Sequence, residues 1–217
     1  MRRISLLEEG GAPARILALG AHPDDIEIGC GGTILRLAAE HRGLEVRWVV
    51  FTATPERAAE ARASAGAFLE GVPSAGVVVR DFRDGFLPYS GAAVKDEFEA
   101  LKREFSPDLV FTHYRGDRHQ DHRLVSDLTW NTWRDHLILE YEVPKYDGDF
   151  GSPNLFSPLP RATLERKIAL VFEHFRSQSE RHWFTRDLLL AVARVRGMEC
   201  VAPDLVAEAF YARKVAF

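Results

Sequence analysis

The sequence holds one stretch whose residue types suit chemistry on a metal ion or a substrate. It runs from Ala21 to Thr33 and contains His22, Asp24 and Asp25 within four positions. An imidazole and a carboxylate three residues apart can reach one cation, and nitrogen with oxygen ligands suits zinc. Adjacent residues tend to point apart, so we expect Asp24 to face a water molecule while Asp25 faces the cation. The structural alternative is that an aspartate caps the following helix and that His22 is a solvated loop residue.

A second polar cluster lies near the middle of the chain, at residues 114–122. His119 and His122 are three residues apart, a spacing that puts two side chains on one face of a helical turn. Asp121 lies between them and can accept a hydrogen bond from an imidazole, which fixes the tautomer of that imidazole. The structural alternative for this stretch is a solvated surface cluster.

The two clusters together supply the ligands of a catalytic metal site. Such a zinc site has three protein ligands and one open position for water, and His22, Asp25 and His122 supply that number. Zinc activates water at neutral pH, so Asp24 is available as a general base and His119 as an acid or oxyanion stabiliser. We therefore expect metal-assisted hydrolysis of an amide or an ester. Iron(II) or another divalent ion is an alternative to zinc, because His and carboxylate ligands discriminate weakly between these metals.

Predicted strands lead into both clusters. Residues 14–21 are typical of a buried strand, and a helix to His41 and a strand over 45–52 follow. This βαβ pattern predicts a parallel pair with a right-handed crossover. The strand predicted over 107–113 ends at the second cluster. Because ligands bind at the carboxyl ends of strands in open α/β sheets, we expect both clusters to open on one crevice.

The rest of the chain continues as a single α/β domain over residues 1–217. Residues 144–160 contain four prolines and predict an irregular, functional loop. The remaining elements are helices over 53–69, 97–105, 124–136, 161–175 and 184–195, and strands over 77–80, 137–143 and 207–215.

The composition excludes several classes of protein. Of the 217 residues 46% are hydrophobic, and the net charge is −4 without the basic run that marks nucleic-acid binding. No segment reaches the roughly 20 apolar residues of a membrane span, and residues 1–9 do not form a targeting core. Only Cys30 and Cys200 are present, so we expect no disulfide framework and a cytoplasmic location. A small-molecule substrate is the expected partner. Trp130 and Trp133 suit either a core or an interface, which leaves a homo-oligomer open.

The two motifs carry a family resemblance. Ala21-His22-Pro23-Asp24-Asp25 together with His119-Gln120-Asp121-His122 resembles the LmbE-like family of zinc-dependent de-N-acetylases, which includes the phosphatidylinositol-glycan class L enzyme. The resemblance extends from the first strand to Ala207-Glu208-Ala209-Phe210. It implies a Rossmann-like three-layer α/β fold with a mostly parallel sheet. It also implies a zinc cofactor and the removal of acetyl from an N-acetylated amino sugar or sugar conjugate.

The resemblance further implies a role for individual residues. The implied metal ligands are His22, Asp25 and His122, and the implied catalytic residues are Asp24 as the base, His119 as the stabiliser of the tetrahedral intermediate and Asp121 as the residue that tunes it. Arg57 matches a family position that contacts the sugar, and its alternative is an i, i+3 surface pair with Glu60.

Two further stretches lie outside the common core of the family. Residues 140–146 and 177–184 are expected to shape the substrate pocket, with a packed surface loop and an ordinary helix junction as the structural alternatives. Tyr146 is a candidate donor to the oxyanion or the sugar.

Rival functions fit parts of the pattern. Gly29-Cys30-Gly31-Gly32 suits the phosphate cradle of a nucleotide-binding module, but the spacing departs from G-x-G-x-x-G and the nearby carboxylates would repel phosphate. We expect these glycines to permit close approach of the backbone at the start of the helix. Phosphoester hydrolysis often uses two metals, whereas one ligand set is evident here. A binding protein that lost catalysis would not need the acid and base positions, which are intact. Cys30 is either a thiolate or, as we expect, a small buried packing residue.

Overall fold

Strands and helices alternate along the chain, as the sequence predicts. The computed structural model describes residues 14–41 and 43–215. The elements are β1 Arg15–Gly20, α1 Asp25–Glu40, β2 Glu45–Thr52, α2 Pro55–Phe68, β3 Ser74–Phe82, α3 Gly91–Glu104, β4 Leu109–His113, α4 Gln120–Thr132, β5 Leu137–Tyr141, β6 Leu155–Pro158, α5 Arg161–His174, α6 Arg186–Glu199 and β7 Ala207–Ala212. Short 3-10 helices lie at Leu87–Ser90 and Arg176–Gln178.

The strands form a mostly parallel sheet in the order β3-β2-β1-β4-β5-β7-β6. The first five of these pair in parallel, and β7 is antiparallel to both β5 and β6. The strand order reverses at β1, because the chain moves outward from β1 to β3 and then crosses back through α3 to β4 on the other side. The carboxyl ends of β1 and β4 therefore border the crevice where ligands bind in open α/β sheets.

Helices cover both faces of the sheet and make three layers. Alternate residues of β1 point to opposite sides, so Ile16 and Ala18 join one buried cluster while Leu17 and Leu19 join the other. The first cluster packs against α1, α2, α5 and α6, and the second packs against α3 and α4. The expected α/β fold with three layers is confirmed. Trp133 lies in the second core and is 1% exposed.

The structure corrects several predicted boundaries. Strand β6 lies inside the segment 144–160, which was expected to be irregular. The prolines of this segment are compatible with a short edge strand, and among the described strands β6 pairs with β7 alone. The helix predicted from residue 97 begins at Gly91, and the helix predicted from residue 124 begins at Gln120. The second difference matters for function, because it brings the second polar cluster to the first turn of α4.

The glycines after Asp25 let α1 lie close against its neighbours. A Cβ atom at Gly29 would collide with the ring of Tyr141, and one at Gly31 would lie 2.6 Å from Cε1 of Phe68. These glycines lie inside the helix and face side chains, which confirms close approach rather than a phosphate cradle. Cys30 is fully buried among apolar side chains, as expected for a packing residue, and burial raises the pKa of its thiol. Among the residues described, no helix combines the length and hydrophobicity that crossing a bilayer requires.

A buried ion pair fastens α1 to α5 and β7. Glu208 accepts hydrogen bonds from the backbone N–H groups of Gly32 (2.8 Å) and Thr33 (2.6 Å), and from Lys167 Nζ (2.6 Å). Lys167 Nζ also donates to the carbonyl of Ile28 at 2.6 Å. Both charged side chains are about 5% exposed, so each depends on the other for compensation of its charge.

We expect Glu208→Ala to lower the free energy of unfolding by about 3–5 kcal/mol, because it leaves the ammonium of Lys167 buried without a counterion. Urea unfolding followed by circular dichroism measures the change. Glu165→Ala is the matched control, since Glu165 pairs with Arg161 on the surface and an exposed pair contributes about 1 kcal/mol or less. Equal losses in the two variants would contradict the assignment.

A second buried carboxylate, Glu27, lies on α1 without a compensating charge. It is 1% exposed, and neither of its carboxyl oxygens has a hydrogen-bond partner among the described residues. Burial raises the pKa of this carboxyl to about 8 from an ordinary value of 4.5. The folded chain therefore keeps this proton between pH 4.5 and 8 while the unfolded chain loses it, so Glu27 makes stability fall as pH rises through that window.

We expect Glu27→Gln to remove this pH dependence. The unfolding free energy of the parent protein, measured with a chelator present, should fall relative to the variant by up to about 1.4 kcal/mol per pH unit in the window. Glu40→Gln on the exposed end of the same helix is the control. Parallel stability curves for the parent and Glu27→Gln would mean that the buried carboxyl is ionised in the folded protein.

Candidate metal centre and active site

The turn between β1 and α1 separates the two aspartates. Asp24 occupies the N-cap position of α1 with φ 93°, a left-handed conformation that is costly for a residue other than glycine. The side chain of Asp24 makes no capping hydrogen bond. The alternative that this aspartate serves only to cap the helix therefore does not describe it. The carboxylate of Asp24 instead faces Arg57, while that of Asp25 faces the histidines.

Three donor atoms from the two motifs converge at the crevice. Nδ1 of His22 lies 3.1 Å from Nε2 of His122. Oδ2 of Asp25 lies 3.3 Å from the former nitrogen, and Oδ1 of the same carboxylate lies 3.4 Å from the latter. Ligands at 2.0–2.1 Å in a tetrahedral zinc site are about 3.3–3.4 Å apart. The two nitrogens and the carboxylate, which turns one oxygen toward each of them, are therefore close enough together to bind one such metal ion.

Each of the two imidazoles contacts a carboxylate through its other ring nitrogen. Nε2 of His22 lies 3.2 Å from Asp121, and Nδ1 of His122 lies 2.9 Å from Asp117. If each of these nitrogens donates its proton to the carboxylate, the two nitrogens that face each other at 3.1 Å both present lone pairs. A cation between them would relieve that repulsion, and carboxylate–histidine pairs of this kind orient metal ligands in proteins. The donor set thus fits a divalent metal.

Asp121 links this arrangement to the connector between β3 and α3. Its carboxylate accepts hydrogen bonds from the backbone N–H groups of Gly85 (2.7 Å) and Leu87 (3.1 Å), as well as contacting His22. The imidazole that the Asp121 carboxylate contacts is therefore that of His22. Its connection to His119 runs through the backbone, because the N–H of Asp121 donates to Nδ1 of His119 at 3.3 Å.

His119 caps α4 and places a ring nitrogen in the crevice. Because Nδ1 accepts from the backbone, the proton of the neutral ring is on Nε2. The ring centroid lies 4.8 Å from that of His22 and 4.6 Å from that of His122. Burial, together with the charges of His122 and His22, lowers the pKa of His119. The residue is thus a neutral hydrogen-bond donor next to the convergent ligands.

The two aspartates differ in electrostatic environment. Burial, opposed by the Arg57 guanidinium, raises the pKa of Asp24 to about 7. Burial also opposes ionisation of Asp25, but the imidazoles of His122, His113 and His22 outweigh it and hold the pKa of Asp25 well below its ordinary range. One carboxylate is therefore permanently charged, and the other exchanges a proton near neutral pH, as a general base requires.

The Arg57 side chain lies at the site, and its guanidinium donates hydrogen bonds to other residues of the protein. Nη2 donates to the Asp24 carboxylate at 3.0 Å and to the carbonyl of Pro23. Glu60 instead accepts from the backbone N–H (2.9 Å) and the hydroxyl (2.6 Å) of Ser177. The alternative of a surface pair between Arg57 and Glu60 is therefore wrong, and the segment that begins at Ser177 is attached to α2.

Sequence reasoning missed three side chains at the site. His113, the last residue of β4, is fully buried; its ring stacks on His122 at 3.9 Å, and its Nε2 accepts from the N–H of Ala21. Asp117 was overlooked although it precedes His119 by two residues. Asp84 lies in a turn-rich connector and reaches Nε2 of His22 at 3.1 Å with a side chain that is 77% exposed. A polar residue at the end of a strand was the only available signal for His113.

Tyr146 lies on the loop after β5, next to Lys145, whose side chain forms ion pairs. Lys145 Nζ donates to Asp117 at 2.9 Å and to Asp149 at 2.6 Å, which brings this loop beside the second motif. The Tyr146 side chain is 71% exposed, and among the described residues it has no hydrogen-bond partner. Its role as a donor to substrate stays a prediction.

Comparison with known proteins places both motifs in one family. The sequence profile described as GlcNAc-PI de-N-acetylase (PIG-L) matches residues 17–133, which span β1 to the end of α4 and include every proposed ligand. The chain is 30% identical over 186 residues to the uncharacterized deacetylase YaiS of Escherichia coli strain K12, covering 78% of this chain and 95% of YaiS.

Solved structures share the fold over nearly the whole chain. The N,N′-diacetylchitobiose deacetylase of Pyrococcus horikoshii superposes with a TM-score of 0.70 at 25% identity, covering 90% of this chain and 82% of that one. GalB, the 4-carboxy-2-hydroxymuconate hydratase of Pseudomonas putida KT2440, superposes with a TM-score of 0.75 at 18% identity, covering 94% and 98%. The second likeness concerns the fold alone, since one fold hosts different reactions. On the evidence of the profile match and the deacetylase relative, the resemblance seen in the sequence is confirmed, and the chain belongs to the PIG-L (LmbE-like) family of de-N-acetylases.

Proposed function

We propose that this protein is a metal-dependent hydrolase that removes acetyl from an N-acetylated amino sugar or sugar conjugate. The observation that carries the proposal is the convergence of His22 Nδ1, His122 Nε2 and the Asp25 carboxylate, with contacts of 3.1–3.4 Å between them. Family membership supports the deacetylase reaction, and the chitobiose deacetylase with the same fold supports a sugar substrate.

In this proposal His22, Asp25 and His122 hold the metal. Other donor triads overlap with this one and include His119, His113, Asp84 or Asp121. We favour the first set because His119 and His113 each use a ring lone pair to accept a backbone N–H. Asp84 and Asp121 contact Nε2 of His22, which is not the nitrogen that faces His122. When bound, zinc, or iron(II) in its place, supplies Lewis acidity and activates water for attack at neutral pH.

The remaining side chains divide the proton transfers between them. Asp24 takes a proton from the attacking water as the water oxygen bonds to the acetyl carbon. His119 donates an Nε2–H hydrogen bond to the acetyl oxygen, where negative charge develops. The C–N bond then breaks, and the proton held by Asp24 passes to the departing nitrogen. The products are acetate and a free amine.

Arg57 and Tyr146 are the proposed substrate contacts. Arg57 fixes the orientation of the Asp24 carboxylate with one nitrogen, which leaves other donors of its fork for a sugar oxygen. The exposed Tyr146 adds a donor from the loop after β5. A phosphoester substrate is less favoured because the donor triads overlap on one centre, whereas phosphoester hydrolysis often uses two metals. A cytoplasmic location belongs to the same proposal.

We expect Asp24→Asn to retain the metal and to lower turnover by about 10²–10⁴-fold, because the amide cannot accept the proton while the three ligands stay in place. Acetate release and metal content by elemental analysis are measured on the same preparation. Asp135→Asn, at an exposed carboxylate of the α4–β5 connector, controls for the substitution itself. Loss of the metal from Asp24→Asn would mean that the roles of the two aspartates are exchanged.

We expect chelation to abolish acetate release and one equivalent of zinc or iron(II) to restore it. The assay uses a panel of N-acetylated sugars that includes GlcNAc, its conjugates and nucleotide-linked sugars. A His122→Ala variant should fail to recover, because a ligand is missing. If protein shown to carry one metal released acetate from none of the panel, the deacetylase proposal would be overturned while the metal site remained.

A further inference from the structure

Three exposed side chains on the connector between β3 and α3 form a group that the proposed reaction does not use. They are Arg83, Phe86 and Tyr89, which we call the aromatic platform. Tyr89 is 83% exposed and Phe86 is 38% exposed, although each has a large apolar ring. The two ring centroids are 5.6 Å apart, and the rings are inclined at 50°.

The connector that carries the platform is fixed to the metal centre. Gly85 and Leu87 donate their backbone N–H groups to Asp121, and Asp84 reaches His22. Leu87 is fully buried and begins a 3-10 helix, so Phe86 and Tyr89 lie on either side of an anchored residue. Phe86 is two residues from Asp84, which limits its backbone to about 7 Å from that of Asp84. Phe86 is therefore at the rim of the site, and the Tyr89 ring lies beside it.

Arg83 completes the platform with polar groups. Its guanidinium carbon lies 3.6 Å from the centroid of the Phe86 ring, a stacked arrangement that holds the planar fork in place. The ion pairs among residues 14–41 and 43–215 do not include Arg83, whereas the nearby Arg80 pairs with Glu97. The five N–H donors of Arg83 are thus available beside exposed aromatic faces.

This combination fits one chemistry better than others. An aromatic face packs against the C–H face of a pyranose, and nearby planar donors bind the hydroxyl groups at its edge. An alkyl chain would use the rings and leave the guanidinium without a partner. An isolated anion would use the guanidinium and leave the rings in water, where exposed aromatic surface commonly marks a binding site.

We propose that the aromatic platform is a second subsite, which holds the sugar ring next to the acetamido sugar in an N-acetylated saccharide of two or more units. The inference rests on the proposed deacetylase function and adds the class of substrate. It predicts that the enzyme selects extended saccharides over the single sugar.

The test compares deacetylation of N-acetylglucosamine, N,N′-diacetylchitobiose and an aryl glycoside of N-acetylglucosamine by the metal-loaded protein. In Tyr89→Ala and Phe86→Ala, we expect the ratio of kcat/KM for the disaccharide over the monosaccharide to fall about 5–10-fold, through KM, as loss of stacking requires. Arg83→Met should lower the same ratio. Met198→Ala, at an apolar residue on α6 that is 69% exposed, is the matched control.

Calorimetric titration of the disaccharide into Asp24→Asn, with and without Tyr89→Ala, makes the same comparison without turnover. If the platform variants keep the parent values of the kcat/KM ratio and of the affinity for the disaccharide, the subsite is overturned. A loss that is equal for the aryl glycoside and independent of Arg83 would overturn the sugar assignment. Failure of the wild-type protein to release acetate from any of the three compounds would count against the proposed function, whereas the titration would still decide the subsite.

Discussion

Two ring nitrogens, Nδ1 of His22 and Nε2 of His122, face each other at 3.1 Å across the crevice between β1 and β4. This contact needs a positive charge: burial lowers the pKa of each imidazole, but the surrounding carboxylates, Asp25 first, outweigh burial and raise it, so a proton can bridge the two nitrogens where a metal ion does not. Much of the surrounding structure acts to maintain it. Backbone N–H groups hold Asp121, and Lys145 together with the N–H of His119 holds Asp117. The protein is thus built around a position for positive charge.

The first turns of α1 concentrate features that cost stability. Asp24 has a left-handed backbone, Glu27 is buried with no hydrogen-bond partner in the described part of the chain, and the Lys167–Glu208 pair is removed from water. Strain and buried charge of this kind persist where the rest of the fold over-determines them, and they gather at functional sites. Here the over-determination comes from close packing, since Gly29 allows α1 to lie directly on Tyr141. The helix that presents the site is therefore also packed closely against its neighbours.

The scaffold and the chemistry are separable in this molecule. A hydratase shares the three-layer fold with this chain, so the sheet does not decide the reaction. In the proposed function, the reaction depends on the ends of β1 and β4, and the choice of substrate depends on the connectors that border them. The connector after β3 illustrates this division, because Asp121 fixes its backbone at Gly85 while Phe86 and Tyr89 project from the rim.

The alternation of strands and helices, and the position of the two motifs after strands, could be predicted from the amino-acid sequence, because periodicity, spacing and turn residues are local properties. The sequence did not reveal β6, since a short proline-containing edge strand is defined by its pairing with β7. Nor did it show that Asp121 contacts His22, or that His113 packs behind His122, because those pairs join residues from distant parts of the chain or different elements. The sheet order brings them together, and that order follows from which surfaces can be buried together in three dimensions. Local patterns in the sequence indicated the chemistry, and tertiary packing determined which side chains contact one another.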